Sequence, residues 1–246
     1  SNLAEAHLTL GIILIYSCKL EEAELSIRKA IKFKPDLAEA YWNLSLLELL
    51  QGDYKNGLEK YEFRFKTKNA SITHAKPQIK KIKNKELHKE DKLLIVSEAG
   101  LGDTLLNMRY IPYLRNRDLD ISFCAQTKLH SLIKASGIHP NPLTPEQANQ
   151  ISEGQWIPLL SLPNYLKVSE KNQISYGRYI YSTDEQITKW RKILCKERRP
   201  IIGINWQGNP DSEKNMLRGR SLKLETFSSL AKDNNYKFLS LQKGYG

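Results

Sequence analysis

Cysteine is scarce in this chain. Its 246 residues include three, Cys18, Cys124 and Cys195, far apart and without a CxxC pair. Isolated thiols in odd number argue against a disulfide framework and a structural zinc site, and fit a reduced compartment. Long apolar runs are missing too. The longest, Leu8–Tyr16, falls short of the ~18–20 residues that a membrane-spanning helix needs. No secretory leader pattern opens the chain, so a cytoplasmic location is the expectation. The first residues are Ser1-Asn2 rather than a methionine, which suggests a processed fragment of a longer protein.

What is plentiful is positive charge, +11 formally, from 38 Lys and Arg against 27 Asp and Glu. Nucleic-acid binding is the first thought for such a number. Much of the excess, however, sits in one run, Lys76–Lys92, which has no interleaved aromatic residues on which bases would stack. That run reads as a solvated linker, and nucleic acid is not an expected partner. An acidic partner or an anionic membrane surface stays open. With 40% hydrophobic and 26% charged residues the rest is ordinary globular composition, and the length suits more than one domain.

An internal repeat organises the front of the chain. Leu3–Gly11 (LAEAHLTLG) matches Leu37–Ser45 (LAEAYWNLS), with Ala6 and Ala40 separated by 34 residues. The first unit adds Leu10, Gly11, Ala23 and Ala30 and closes on Pro35. The second adds Leu44, the turn Gly52-Asp53-Tyr54, and Gly57 where Ala23 stood. The pattern resembles tetratricopeptide repeats over residues 3–66, which implies helical hairpins across residues 1–68 and a groove that holds a protein or peptide. Two units are fewer than the ~3 usually needed for stability. Either further repeats precede them or the helices pack on the following domain. Gly57 inside a helix costs ~1 kcal/mol relative to Ala and suggests a tight helix crossing. The segment Tyr61–Lys68 (YEFRFKTK) puts Tyr61 and Phe65 on one helical face and reads as a hydrophobic cover for the end of the repeat.

Beyond a basic linker at residues 69–91 comes KLLIVSEAGLGDTLLNMRYIPYLR, Lys92–Arg115. Leu93–Val96 reads as a strand buried on both faces. Gly100 and Gly102 supply a turn, and Asp103 or Thr104 is a natural helix N-cap. Leu105, Met108, Ile111 and Leu114 recur at helical spacing, with Pro112 expected to bend or shorten the helix. A strand, a glycine loop and a helix N-terminus invite a dinucleotide reading. The third glycine is absent, however, and no acidic residue ends the next strand, Ile121–Ala125. It is not a P-loop either, since no Gly-Lys-Ser/Thr follows. Further on, Gln126–Ser136 reads as a helix capped by Gly137, Trp156–Pro163 as a strand and turn, and Thr183–Glu197 as an amphipathic helix bearing Ile187, Trp190 and Leu194. His130 and His139 lack ligand spacing and read as ordinary surface or loop residues rather than metal ligands.

The GLGDT segment resembles the corresponding loop of a bacterial family that joins tetratricopeptide repeats to a GT-B glycosyltransferase and is related to the heptosyltransferases and to O-linked N-acetylglucosamine transferase. The resemblance implies that Asp103 is the catalytic base. Local sequence alone favours a helix-capping role, which stays open beside that of a base. Glu98 is a second possible carboxylate, and Gly100, Gly102 and Thr104 would shape the acceptor-side loop. An inverting transfer requires the acceptor hydroxyl to lose its proton as it attacks the anomeric carbon, and a positioned carboxylate can take it.

The back of the chain, from Arg199, begins a second α/β unit. Ile201–Pro210 (IIGINWQGNP) reads as a buried strand and a polar glycine loop, Ser221 as the start of a helix, and Lys237–Gln242 as another strand. The GNP loop, the Arg220-Ser221 helix start and the SLQKG strand resemble the same family's donor-binding domain. That implies roles for Asn209, Lys214, Arg218, Arg220 and Ser221 in holding the departing diphosphate, whose growing charge a basic loop can stabilise without a metal. A solvated basic loop is the plain alternative. The fold class expected is therefore α + α/β: tetratricopeptide hairpins (1–68), a linker (69–91), a Rossmann-like parallel-sheet domain (92–198) and the start of a second (199–246). The resemblance implies a nucleotide-sugar donor as substrate, no cofactor and no metal, with activity in the full-length parent rather than in the fragment. The competing expectation is a non-catalytic scaffold with a degenerate transferase fold.

Overall fold

The structure, a computed structural model, describes residues 2–83, 86–174, 177–210, 213 and 221–244. It combines helices with parallel sheet and divides into two compact units, one ending at Thr183 and the other starting at Asp184. Among the described residues no helix is long and apolar enough to cross a membrane.

The first unit opens with two helical hairpins, α1 (Asn2–Tyr16) with α2 (Leu20–Phe33), and α3 (Ala38–Leu50) with α4 (Tyr54–Tyr61). Small residues set their spacing. A Cβ on Gly11 would come within 2.5 Å of Ile27 Cγ1, and one on Gly57 within 2.8 Å of Leu49 Cγ, so both glycines mark close helix crossings. Ala4, Leu8, Ala23, Ile27, Ala30, Leu37, Ala40, Leu44 and Leu47 form one buried cluster spanning α1, α2 and α3. Asp53 caps α4 by accepting from Asn56 N at 3.2 Å.

The sheet that follows has four strands in the order β1-β4-β2-β3, all parallel: β1 (Lys80–Lys81), β2 (Lys92–Val96), β3 (Asp120–Cys124) and β4 (Gln155–Pro158). Strand β2 is central, and its alternation separates two cores. Leu93 and Ile95 join the large cluster with Met108, Ile111, Phe123 and Ile133, while Leu94 and Val96 face Ala75, Cys124 and Ala148. Burial pushes the Cys124 thiol up to about 12.

Several expectations are corrected here. The lysine-rich segment is no free tether, because it contributes the edge strand β1 and buries Ile82 and Leu87 in the main core. Its apolar side chains anchor it. The helix after the glycine loop is two helices, α5 (Leu101–Asn107) and α6 (Tyr110–Arg115). Pro112 has no N–H to offer the Met108 carbonyl, and the chain steps to a tighter turn there, with Ile111 N donating to Met108 O at 3.1 Å. The helix after β3 is a 3-10 turn (Thr127–Leu129) followed by α7 (His130–Ala135), and Gly137 closes it at φ +67°. His139 is buried, with Nε2 on Ile121 O at 2.9 Å.

The second unit holds α10 (Asp184–Leu194), counted after α8 (Pro145–Asn149) and α9 (Leu162–Tyr165), and a parallel pair, β5 (Ile201–Ile204) with β6 (Lys237–Ser240). The helix α10 thus belongs with the second unit, not with the region 92–198. None of the described residues of this unit is buried. Ile201 and Ile202, expected in a buried strand, are 39% and 37% exposed, because two strands cannot enclose both of their faces.

Candidate functional site

The strand β2 runs into Ser97-Glu98-Ala99-Gly100 before α5. Ser97 N donates to Cys124 O at 2.9 Å, prolonging the ladder. Ala99 then takes φ +59°, a left-handed conformation that disfavours side chains by roughly 1–2 kcal/mol. Gly100 is the N-cap of α5, and the helix begins at Leu101. Asp103 is therefore the third helical residue rather than the cap. It still serves the helix end, since its Oδ2 accepts from Gly100 N at 2.9 Å. The residue is exposed, and Oδ1 has no hydrogen bond among the described residues. Thr104 is buried, and its hydroxyl donates to Gln126 Oε1 at 2.9 Å, tying α5 to the end of β3. Gly102 is exposed, and a Cβ added to it would meet no atom within 4 Å, so no close approach demands glycine there.

Glu98 has a different place. It is fully buried, and its carboxylate faces the Arg64 guanidinium, with Arg64 Nε on Oε2 at 3.1 Å and Nη2 on Oε1 at 2.8 Å. Ser71 Oγ donates to Oε2 at 2.9 Å and Leu160 N to Oε1 at 3.3 Å. The carboxylate is thereby committed inside the protein and is not offered to a substrate. Arg64, 4% exposed, uses all of its donor capacity. Beyond Glu98 it donates to Ser161 Oγ at 2.9 Å, Glu62 Oε1 at 2.9 Å and Tyr61 O at 3.2 Å. The Tyr61 and Phe65 rings lie 4.6 and 4.1 Å from its Cζ, so the aromatic pair on one helical face flanks a cation instead of covering a bare helix end. Burial opposes the charge on Arg64, and the Glu98 and Glu62 carboxylates more than offset it, leaving the pKa above its ordinary value. Burial raises the Tyr61 phenol as well, and the charges of Glu98 and Asp103 act in the same direction.

The topology explains the position. From β2 the chain crosses to β3 on one side and returns to β4 on the other, so the strand order reverses between β2 and β4. In open parallel sheets ligands bind outside the carboxyl ends of the strands at such a reversal. Here Glu98 follows β2, Leu160 and Ser161 follow β4, and Arg64 from the helical segment lies between them. Beside this network a cleft of about 1120 Å3 opens between α4 and the α/β core, lined among others by Glu62, Lys81, Arg117, Ser161 and Lys167. Burial lowers the Lys81 pKa, and its ammonium stands 4.3 Å from the Phe65 ring centre. Asp103 is not among the residues of that cleft.

Of the donor-side residues, Lys214, Arg218 and Arg220 lie outside the described residues. Asn209 is exposed. Ser221 is not a helix start: its hydroxyl accepts from Gly208 N at 2.9 Å and donates to Glu213, and the next helical turn begins at Leu224. A residue missed in the sequence is Gln242, whose Oε1 accepts from Gln207 N at 3.0 Å and whose Nε2 donates to Gln207 O at 3.2 Å, clamping the loop after β5. Among the described residues no group of three His, Cys, Asp or Glu side chains is arranged to hold a metal ion. Compared with known protein families and with curated protein sequences, the chain gives no match.

Proposed function

We propose that this chain is part of a metal-independent glycosyltransferase of the GT-B type, with tetratricopeptide hairpins in front, and that Asp103 is its general base. The observation that carries the reading is the contrast between two carboxylates at the carboxyl end of β2. Glu98 is buried against Arg64, while Asp103 is exposed and, among the described residues, keeps one oxygen without a hydrogen bond. Of the two, only Asp103 can meet a hydroxyl from solvent. Its bond to Gly100 N orients the carboxylate and leaves Oδ1 to take the acceptor proton as the oxygen attacks the anomeric carbon. For the donor diphosphate the family resemblance points to Asn209, Lys214, Arg218, Arg220 and Ser221 of the second unit, whose cations would offset the leaving group's charge.

The test is donor hydrolysis. The full reading frame and its Asp103→Asn variant are offered UDP-, GDP-, ADP- and dTDP-sugars, and release of the nucleoside diphosphate is measured. The amide retains an oxygen for Gly100 N, so folding is preserved while the base is lost. Release by the wild type and its loss in the variant are expected. A second reading, a non-catalytic scaffold, is favoured by the filling of the strand-reversal crevice by Arg64. Failure to release or bind any nucleotide across the panel would establish that reading and leave Asp103 as a capping residue.

A further inference from the structure

The cleft between α4 and the α/β core has a chemistry of its own, apart from the carboxylates at the end of β2. Its floor is apolar. Leu58 of α4, Ile82 and Leu87 of the lysine-rich segment, Leu114 of α6 and Ile157 of β4 are buried and line it. Tyr54, Tyr113 and Tyr165 add amphipathic walls. One wall is braced from within. Asn172 Nδ2 donates to Leu166 O at 3.1 Å and to Lys167 O at 3.0 Å, holding the turn in which Lys167 takes φ +53°. A preformed concavity with an apolar floor and a few polar groups is the usual form of a small-molecule site, and about 1120 Å3 is ample for one.

The distinctive polar group is Lys81. Its side chain is 37% exposed, and its ammonium stands 4.3 Å from the Phe65 ring centre and 5.8 Å from that of Trp156. An ammonium has three donors. Among the described residues Lys81 Nζ makes no hydrogen bond, and the one carboxylate within 4 Å of it is that of Glu62. Glu62 Oε2 is 3.9 Å away, while Oε1 accepts from Arg64 Nη1 at 2.9 Å. The Lys81 charge is thus partly withdrawn from water beside two rings and a carboxylate already engaged elsewhere. The lowered pKa of this lysine, caused first by burial, agrees with an incomplete compensation. The rest of the lining does not supply the missing anion, since it holds five Lys and Arg side chains against three Glu.

We propose that this cleft binds an amphipathic monoanion, an acyl or aryl carboxylate whose apolar body lies on the floor of Leu58, Ile82, Leu87, Leu114 and Ile157 and whose head group pairs with Lys81. The head group gains charge-assisted hydrogen bonds from the ammonium, and the body leaves water. Glu62 need not move, because Arg64 continues to satisfy it. Asp103 does not line the cleft, so the proposal is independent of the catalytic reading.

Isothermal titration of the chain with octanoate tests it, at physiological salt so that exposed lysines are largely screened. One saturable site is expected. Octanoate should bind at least about tenfold more tightly than octanol or acetate, each of which lacks one half of the recognition. Lys81→Met keeps an apolar side chain beside Phe65 and Trp156 and should weaken octanoate about tenfold or more. Lys128→Met, at an exposed lysine outside the cleft, removes the same charge and should leave binding unchanged. The wild type gives an independent readout. Octanoate at about ten times its dissociation constant should slow acetylation of Lys81 by acetic anhydride about tenfold, followed by mass spectrometry, without slowing that of Lys128. The absence of a saturable octanoate site, acetate or octanol bound as tightly as octanoate, or an affinity unchanged by Lys81→Met would each overturn the proposal. So would hexaglutamate binding in a Lys81-dependent way where octanoate does not, which would give the cleft to an acidic protein segment.

Discussion

Replacing Arg64 by Met is the sharpest perturbation this structure suggests. The methionine fills much of the same space between the Tyr61 and Phe65 rings but removes every donor. The Glu98 carboxylate, with no exposed surface, would keep, among the described residues, only Ser71 Oγ and Leu160 N as partners. Stranding one member of a buried ion pair typically costs about 3–5 kcal/mol. At about 2–4 °C per kcal/mol for a region of this size, the thermal midpoint of the first unit should fall by roughly 6–20 °C. Removing both charges is a different matter, because buried ion pairs replaced by apolar residues of similar volume are often nearly neutral. Arg64→Met with Glu98→Leu should therefore recover most of the loss, less about 1–3 kcal/mol for the Ser161 and Ser71 hydroxyls left without their partner. Urea unfolding followed by circular dichroism on the wild type, both single variants and the double variant gives the full cycle. If Arg64→Met costs under about 1 kcal/mol, as an exposed pair would, or if the double variant is no more stable than the worse single, the buried-pair reading is refuted.

Two further outcomes follow from the packing and the titrating groups. Gly57→Ala would gain about 1 kcal/mol of helix propensity, yet its methyl would press on the Leu49 side chain at 2.8 Å and the Leu49 backbone nitrogen at 3.0 Å; a net loss of about 1–3 kcal/mol is expected in urea unfolding. His139 Nδ1 accepts from Asn141 N and Nε2–H donates to Ile121 O; burial lowers its pKa, with Arg115 in the same direction, while the hydrogen bonds to Ile121 and Asn141 and the charge of Asp120 oppose them. A histidine with a lowered folded-state pKa contributes stability that is present above its ordinary value of 6.5 and lost as pH falls through the folded value, so the midpoint should drop on acidification below pH 6.5, and less so in His139→Gln.

The parts of the fold legible in the sequence are those with a strong period or a dedicated residue. The 34-residue match set out the two hairpins, the apolar run Leu93–Val96 set out β2, and Pro112 and Gly137 marked a break and a stop that the structure contains. Strand β1 was hidden because two residues in a lysine run carry no period at all. The Arg64–Glu98 pair was hidden for another reason: its members stand 34 residues apart, Glu98 read as a second possible catalytic carboxylate, and no pattern singled out Arg64. A clue existed. A glutamate two residues after a strand buried on both faces has little access to water, and a buried carboxylate requires a cation. Asp103 was misread as the cap because a glycine N-cap can be served by a side chain from the first turn instead of its own.

The reach of Arg64 also orders events during synthesis. The arginine leaves the ribosome 34 residues before Glu98 and 97 residues before Ser161. Until the loop after β2 has emerged, its guanidinium has no Glu98 carboxylate to meet. It can be withdrawn from solvent only after β2 and β4 exist and lie side by side, so the helical front must wait for the sheet before the two close on each other. Such non-local closures are slow relative to helix formation. The nascent chain accordingly carries an undocked helical front for the time that almost a hundred residues take to emerge.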